Sequence, residues 1–417
     1  MTRTFASNIP RYFVYTALKG FGFGLFLAVW VIYLQEQRGL SLSQAALIDV
    51  TFFVAAALAE VPTGIVADRF GRKTSMTAGA ALMSLGVLGW TLAPTLPLII
   101  VAYVAMGVGI TFLSGAEDAF FYETLQATGR ASDYTRLLGR VSATFPGALA
   151  LGSVAGGLLA AINLRLPFLI AGLVLLLTLG IVLTFKEPQT KATKGEAARP
   201  SFGEVLRQSF ALLRARPTLR YPILYLAIVP LASFMIESVF VQPQALALGV
   251  PLAGIGMIVM AVQLTNMLGS TWSDWVRARF GEGRVLYTAP MVICSSLILL
   301  AALQVLPALL LIAVMGFLTA VVRPILLSRI QEELSDDIRA TMLSMQSLTF
   351  TLVAAMSQPT LGAIADHWGL PAAYVALAAS VSLLMVFVFW KSRQHCPQPV
   401  MAPCPAQVRE PLEPVAE

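Results

Sequence analysis

Runs of roughly 20 apolar residues, each closed by glycine, proline or a charged turn, recur along almost the whole chain, and each is long enough to cross the ~30 Å hydrocarbon layer of a bilayer as a helix. Apolar periodicity and Gly/Pro punctuation place the runs at 11–34, 43–66, 74–93, 97–121, 137–162, 166–185, 221–246, 252–276, 285–305, 307–330, 341–364 and 370–391. Between the sixth and the seventh lies a polar stretch that carries Lys186, Lys191, Lys194, Arg199, Arg207, Arg214, Arg216 and Arg220. The pattern predicts an all-α membrane protein with twelve transmembrane helices in two six-helix, pseudo-symmetric halves. The N-terminal half covers 1–185, a basic linker 186–220 and the C-terminal half 221–391, and the tail at 392–417 is predicted to be disordered.

Composition agrees with this reading: 57% of the 417 residues are hydrophobic and 12% charged, where a soluble domain carries about a quarter charged residues. The formal charge of +6 raises nucleic acid as a partner, and the placement of the basic residues removes it. Of the 28 Lys and Arg, only Arg38 and Arg165 fall in one set of loops, Lys19 and Arg323 lie well inside segments, and the rest gather at the opposite ends. That asymmetry is the positive-inside signal, so both termini and the linker are expected in the cytoplasm. No cleavable leader is expected, because the first run continues through Tyr33 without a small-residue cleavage site. Cys294 lies within an apolar run, and Cys396 and Cys404 lie in the Pro-rich tail, which supports neither disulfides nor a metal site.

The two halves echo each other. "ADRFGR" from Ala67 follows segment 2, and "SDWVRARFGEGR" from Ser273 follows segment 8, which places Asp274 as the counterpart of Asp68. "SDYTR" before segment 5 returns as "SDDIR" before segment 11. Internal repeats of this kind build many transporters. The stretch "GIVADRFGRK", Gly64 to Lys73, closely resembles the loop 2–3 signature of the major facilitator superfamily, with Gly64, Asp68, Arg69, Gly71, Arg72 and Lys73 all matching. Among its members the resemblance is greatest to bacterial drug:proton antiporters, and it implies that Asp68 and Arg72 help to stabilise the outward-facing state by latching the two halves. An antiporter glycine pattern in segment 5 is matched in part by Gly139, Gly152, Gly156 and Gly157, with Ala148 and Ser153 replacing a glycine and a proline. Ordinary small-residue helix packing explains those glycines equally well. The segment 4 arginine associated with proton coupling in drug exporters is replaced by Tyr103.

Ionisable side chains inside a membrane cost about 3 kcal/mol each on insertion scales, so they mark cavities or partners. In segment 1, Tyr15, Lys19, Phe23, Phe26, Trp30 and Tyr33 share one helix face. In segment 2, Asp49 and Glu60 share a face about 16 Å apart in height. Glu60 is in reach of Lys19, whereas Asp49, close to the outer surface, is open to simple solvation. Glu117 and Asp118 close segment 4 as part of a cytoplasmic charged cluster. Glu237 in segment 7 lies past the midplane with no base near it in sequence, and so is the favoured proton-exchanging group. Arg323 in segment 10 lies at another depth, where it can attract an anionic group or bind Glu117 or Asp118. The resemblance implies that segments 1, 4, 7 and 10 line a central cavity.

No nucleotide-binding loop or catalytic triad is present, so an enzyme is not expected, no cofactor is implied, and the energy source is a gradient. The expected protein is a monomeric secondary transporter in a bacterial cytoplasmic membrane, with a small molecule, protons and lipid as its partners, exporting amphipathic compounds in exchange for protons. Import of a nutrient or organic anion is the alternative, and a non-transporting receptor or scaffold is the alternative of another class.

Overall fold

The computed structural model describes residues 5–188, 207, 214, 220–332 and 336–395. Most of the linker, Ser335 and the tail with Cys396 and Cys404 lie outside the described residues. The first half consists of α1 (Asn8–Leu27, continued after a bend of 46° by Trp30–Gln37), α2 (Leu42–Phe70), α3 (Arg72–Leu92), α4 (Leu96–Ala127), α5 (Tyr134–Ile162) and α6 (Leu166–Thr184). The second half consists of α7 (Arg220–Ala247), α8 (Leu252–Phe280), α9 (Glu282–Ala302), α10 (Leu310–Glu332), α11 (Asp336–Trp368) and α12 (Leu370–His395). Eleven spans are long and apolar enough to cross a bilayer singly, and the bent α1 makes twelve among the described residues. Large side chains such as Leu151, Leu177, Leu310 and Leu383 are exposed on the flanks of the bundle, as a surface facing lipid requires.

The repeat is visible in the helix lengths: α2 and α8 each have 29 residues, and α3 and α9 each have 21. Gly71 (φ 97°) and Gly281 (φ 82°) turn the chain at equivalent places, in a left-handed conformation that favours glycine. This corrects the register read from the two Asp residues. With Gly71 matched to Gly281, Ala278 stands where Asp68 does, and Asp274 lies one helical turn earlier on an exposed face.

Within the first half, α1 packs on α5 and α6, and α3 on α4 and α6; within the second, α8 packs on α10 and α9 on α12. The halves meet along α2/α11 and α5/α8, and where the bent end of α1 meets α7. At the α5/α8 crossing a Cβ on Gly157 would stand 2.9 Å from the Gly256 nitrogen, so only glycine permits this approach. Gly152 and Gly156 are likewise pressed against α1 at Phe21 and Leu25. Packing thus occupies three of the four matching glycines of the antiporter-like pattern.

The unbroken first helix expected over 11–34 is broken at Ala28–Val29. A break inside a membrane strands backbone groups at several kcal/mol each unless a partner is supplied. Gln242 of α7 supplies it: its Oε1 accepts from Val31 N at 3.0 Å and its Nε2 donates to Leu27 O at 2.9 Å. Asp366 of α11 accepts from the backbone N–H groups of Leu42 and Ser43 at the start of α2 (2.8 and 2.9 Å). The bonds made by Gln242 and Asp366, and those that Ser238 and Gln358 make to Asp49, lie in the part of the bundle away from the linker. The halves are tied together there.

Candidate functional site

Span α4 is interrupted at Ser114–Gly115 and restarts at Ala116, so Glu117 and Asp118 fall in the first turn of a new helix, where free N–H groups favour carboxylates. The break turns Glu117 toward α1. Lys19 Nζ lies 2.6 and 2.5 Å from the two Glu117 oxygens, and the Tyr15 hydroxyl donates to Oε1 at 2.5 Å. The ammonium also lies 5.3 Å from the centre of the Tyr15 ring and 5.4 Å from that of Phe145, and Phe23 meets Phe145 edge-on at 6.1 Å. The Lys19–Glu60 pairing suggested by sequence proximity therefore gives way to Lys19–Glu117. Glu60 instead lines a cleft of about 90 Å³ with Thr63, Gly64 and Arg72, and Asp118 is exposed.

On α7, Pro243 cannot donate a hydrogen bond back to Val239, and the preceding turn, Ile236–Phe240, is wide. Glu237 sits in that turn and accepts from Asn266 Nδ2 of α8 at 2.9 Å. The other amide atom, Asn266 Oδ1, is buried with no partner. Gly316 of α10 leaves room for the pair, since a Cβ there would stand 2.7 Å from Glu237 Oε1. A cavity of about 270 Å³ lies beside them, lined by Leu27 and Trp30 from α1 and by Phe234, Glu237, Ser238 and Gln263 from α7 and α8. Trp30 itself stacks on Tyr103 with ring centres 6.2 Å apart.

Arg323 is exposed on the α10 face that carries Gly316, Thr319 and Ala320. Thr319 shares a hydrogen bond with Ser233 of α7 at 2.6 Å, which fixes that face toward α7. Arg323 stands two turns, roughly 10 Å, from Gly316, and it forms no ion pair among the described residues. Its suggested partner Glu117 is taken by Lys19.

Asp49 was expected to be open to solvent and is instead buried. Its carboxylate accepts from Tyr103 OH of α4 (3.1 Å), Ser238 Oγ of α7 (3.3 Å) and Gln358 Nε2 of α11 (3.2 Å). Tyr103, read from sequence only as a missing arginine, is thus one wall of a polar knot.

At the linker end, Arg72 binds Asp68 Oδ1 at 2.6 Å and pairs with Glu123 of α4 at 3.6 Å. Arg69 reaches over the Phe70 ring at 5.6 Å. Glu187, just beyond α6, accepts from the backbone N–H groups of both Arg72 and Lys73 at 2.8 Å, and Lys73 Nζ donates to Leu183 O at 2.9 Å. The described partners of Arg72 and Lys73 belong to the first half or, for Glu187, to the start of the linker. Glu187 therefore acts as a borrowed N-cap for α3. Glu187→Ala is expected to cost about 1–2 kcal/mol, seen as a lower unfolding temperature in detergent. Glu187→Gln should retain part of that loss, because one amide oxygen still accepts.

Sequence reasoning placed Tyr15 on the Lys19 face without its bond to Glu117, and missed Glu187, Gln242, Asn266 and Gln358. The last three lie in the spans, and a search for carboxamides inside apolar runs, which are costly for the same reason as charges, would have found them.

A family model described as Major Facilitator Superfamily matches residues 12–241. A Bacillus subtilis (strain 168) protein described as "Uncharacterized MFS-type transporter YxaM" is 25% identical over 217 residues, which is 48% of this chain and 50% of that protein. The chain thus spans about half the length of that curated relative. A crystal structure of the nucleoside transporter NupG superposes with a TM-score of 0.73 over 91% of this chain and 98% of that one, at 15% identity. A D-xylose–proton symporter does so with a TM-score of 0.70 over 92% and 97%, also at 15% identity. At such identities the likeness carries the fold alone. With twelve spans in two repeated halves, a glycine-turned basic loop after α2 and a family match over more than half of its length, the chain belongs to the Major Facilitator Superfamily.

Proposed function

We propose that the protein is a monomeric secondary transporter of a bacterial cytoplasmic membrane, with termini and linker in the cytoplasm, that exports a small amphipathic compound in exchange for protons. The observation that supports this most is Glu237. It is a carboxyl within a span, at the edge of a cavity walled by Trp30 and Phe234, whose described hydrogen-bond partner is a carboxamide rather than a cation. Charge there is costly, so the group is suited to exchanging a proton for a substrate. The ties between the halves away from the linker suit a state that is closed to the outside and accessible from the cytoplasm, one of the two that alternating access requires.

The test is flux in proteoliposomes across an imposed pH gradient, with a panel of amphipathic cations and neutral compounds. Gradient-driven accumulation of any of them supports the reading, and indifference to the gradient overturns the proton coupling. Arg323 favours a second reading, import of an organic anion, because an exposed guanidinium without an ion pair among described residues attracts carboxylates and phosphates. Inclusion of amphipathic anions in the same panel distinguishes the two.

A further inference from the structure

The Asp49 side-chain carboxylate is shared by donors of both halves. Tyr103 reaches it from α4 in its own half, while Ser238 and Gln358 reach it from α7 and α11 in the other. Tyr103 and Gln358 are buried, and Gln358 Oε1 has no hydrogen-bond partner. Tyr103 is the titratable neighbour on α4. Glu237, one residue before Ser238 on α7, is engaged with Asn266. From α11 the neighbour is the neutral Gln358, and no ion pair reaches Asp49 among the described residues.

The unpaired amide oxygen is informative. A carboxamide beside a carboxyl can serve both protonation states: its NH2 donates to the carboxylate, and its oxygen accepts from the acid. Beside an ionised Asp49, Gln358 uses only the first of these and leaves a buried acceptor orphaned, which proteins avoid. A proton on Asp49 would supply the missing donor. Separation of the halves at this end strips away Ser238 and Gln358 and brings water to the carboxylate, which then favours the ionised form.

We propose that Asp49 is a proton-sensitive latch of the gate away from the linker, closed across α2 and α11 when Asp49 is protonated and released when it ionises. Because the closed state accommodates the proton better than the open one, closure is favoured as pH falls and opening as pH rises. The proposal rests on the alternating-access reading and is separate from the coupling role of Glu237.

The test is a pulsed spin-label distance measurement in full-length protein reconstituted in lipid. Labels are placed through Leu47→Cys on α2 and Trp368→Cys at the end of α11, both exposed positions, in a background of Cys294→Ala, Cys396→Ser and Cys404→Ser. Spectra are compared between about pH 8 and about pH 5, which brackets the range of perturbed carboxyls. The otherwise unaltered protein is expected to gain short-distance population as pH falls. Asp49→Asn, which keeps an acceptor for Tyr103 and gives Gln358 Oε1 a donor, should hold the short distance at both pH values. Gln358→Met, which removes the waiting acceptor, should shrink the response even if the Asn variant folds poorly. Glu237→Gln should keep it. A pH response that survives in Asp49→Asn overturns the proposal, and so does a parent protein with no response. A response lost in Glu237→Gln but kept in Asp49→Asn assigns the switch to Glu237 and leaves the transport reading standing.

Discussion

Glu237→Gln is expected to abolish accumulation driven by a pH gradient while sparing exchange of substrate for substrate. The glutamine keeps the size of the side chain and retains a hydrogen bond with Asn266, whose Nδ2 now meets the carboxyl at 2.9 Å. It cannot release or take up a proton, so the binding cavity survives and its link to the gradient does not. Substrate binding should lose its pH dependence in the same variant, read from ligand-induced thermal stabilisation across pH. Gly316→Ala provides a steric counterpart, since the added carbon would stand 2.7 Å from Glu237 Oε1 and should weaken binding without freezing protonation. A Glu237→Gln protein that still accumulates substrate against its gradient excludes this carboxyl as the coupling group.

The second large effect concerns Lys19 and Glu117. Their side chains are 11% and 16% exposed and meet at 2.5 Å, and Tyr15 adds a hydroxyl to the same carboxylate. Removal of one partner leaves a largely buried charge uncompensated, which costs about 3–5 kcal/mol. Lys19→Met and Glu117→Gln, each alone, are therefore expected to lower the unfolding temperature sharply. The double variant should recover most of the loss, because an apolar chain beside a neutral amide has no stranded charge. Thermal unfolding of the four proteins in one detergent tests this, and equal, additive losses would show that the pair acts only as two separate contacts. Recovery of stability without recovery of flux would place the pair in transport as well as in packing.

The contrast between legible and illegible features follows from the range of the interactions. The twelve spans were legible because crossing a bilayer needs long apolar runs, a local property of the chain. The turn at Gly71 was legible because a left-handed turn and a basic loop are written in consecutive residues. The break in α1 was not, because what makes it tolerable is Gln242, more than 200 positions away. The partner of Lys19 was misassigned for the same reason. Sequence suggests Glu60 on the neighbouring span, but the interruption at Ser114–Gly115 rotates Glu117 into place. Asp49 was judged by its depth, whereas its burial depends on three donors from three other spans.

The amino-acid sequence by itself thus determined the membrane class, the number of spans, the basic face and the list of ionisable groups that a bilayer makes costly. Tertiary structure alone decided which of those groups pair, which are left with a carboxamide and which remain exposed. It also decided the register of the repeat, because helices of equal length meet at the Gly71 and Gly281 turns, which do not fall where two aspartates happen to be spaced alike. The physical reason is that hydrophobic length and loop charge act along the chain, whereas the state of a buried charge is set by atoms within about 4 Å, and in a helical bundle those come from segments remote in sequence.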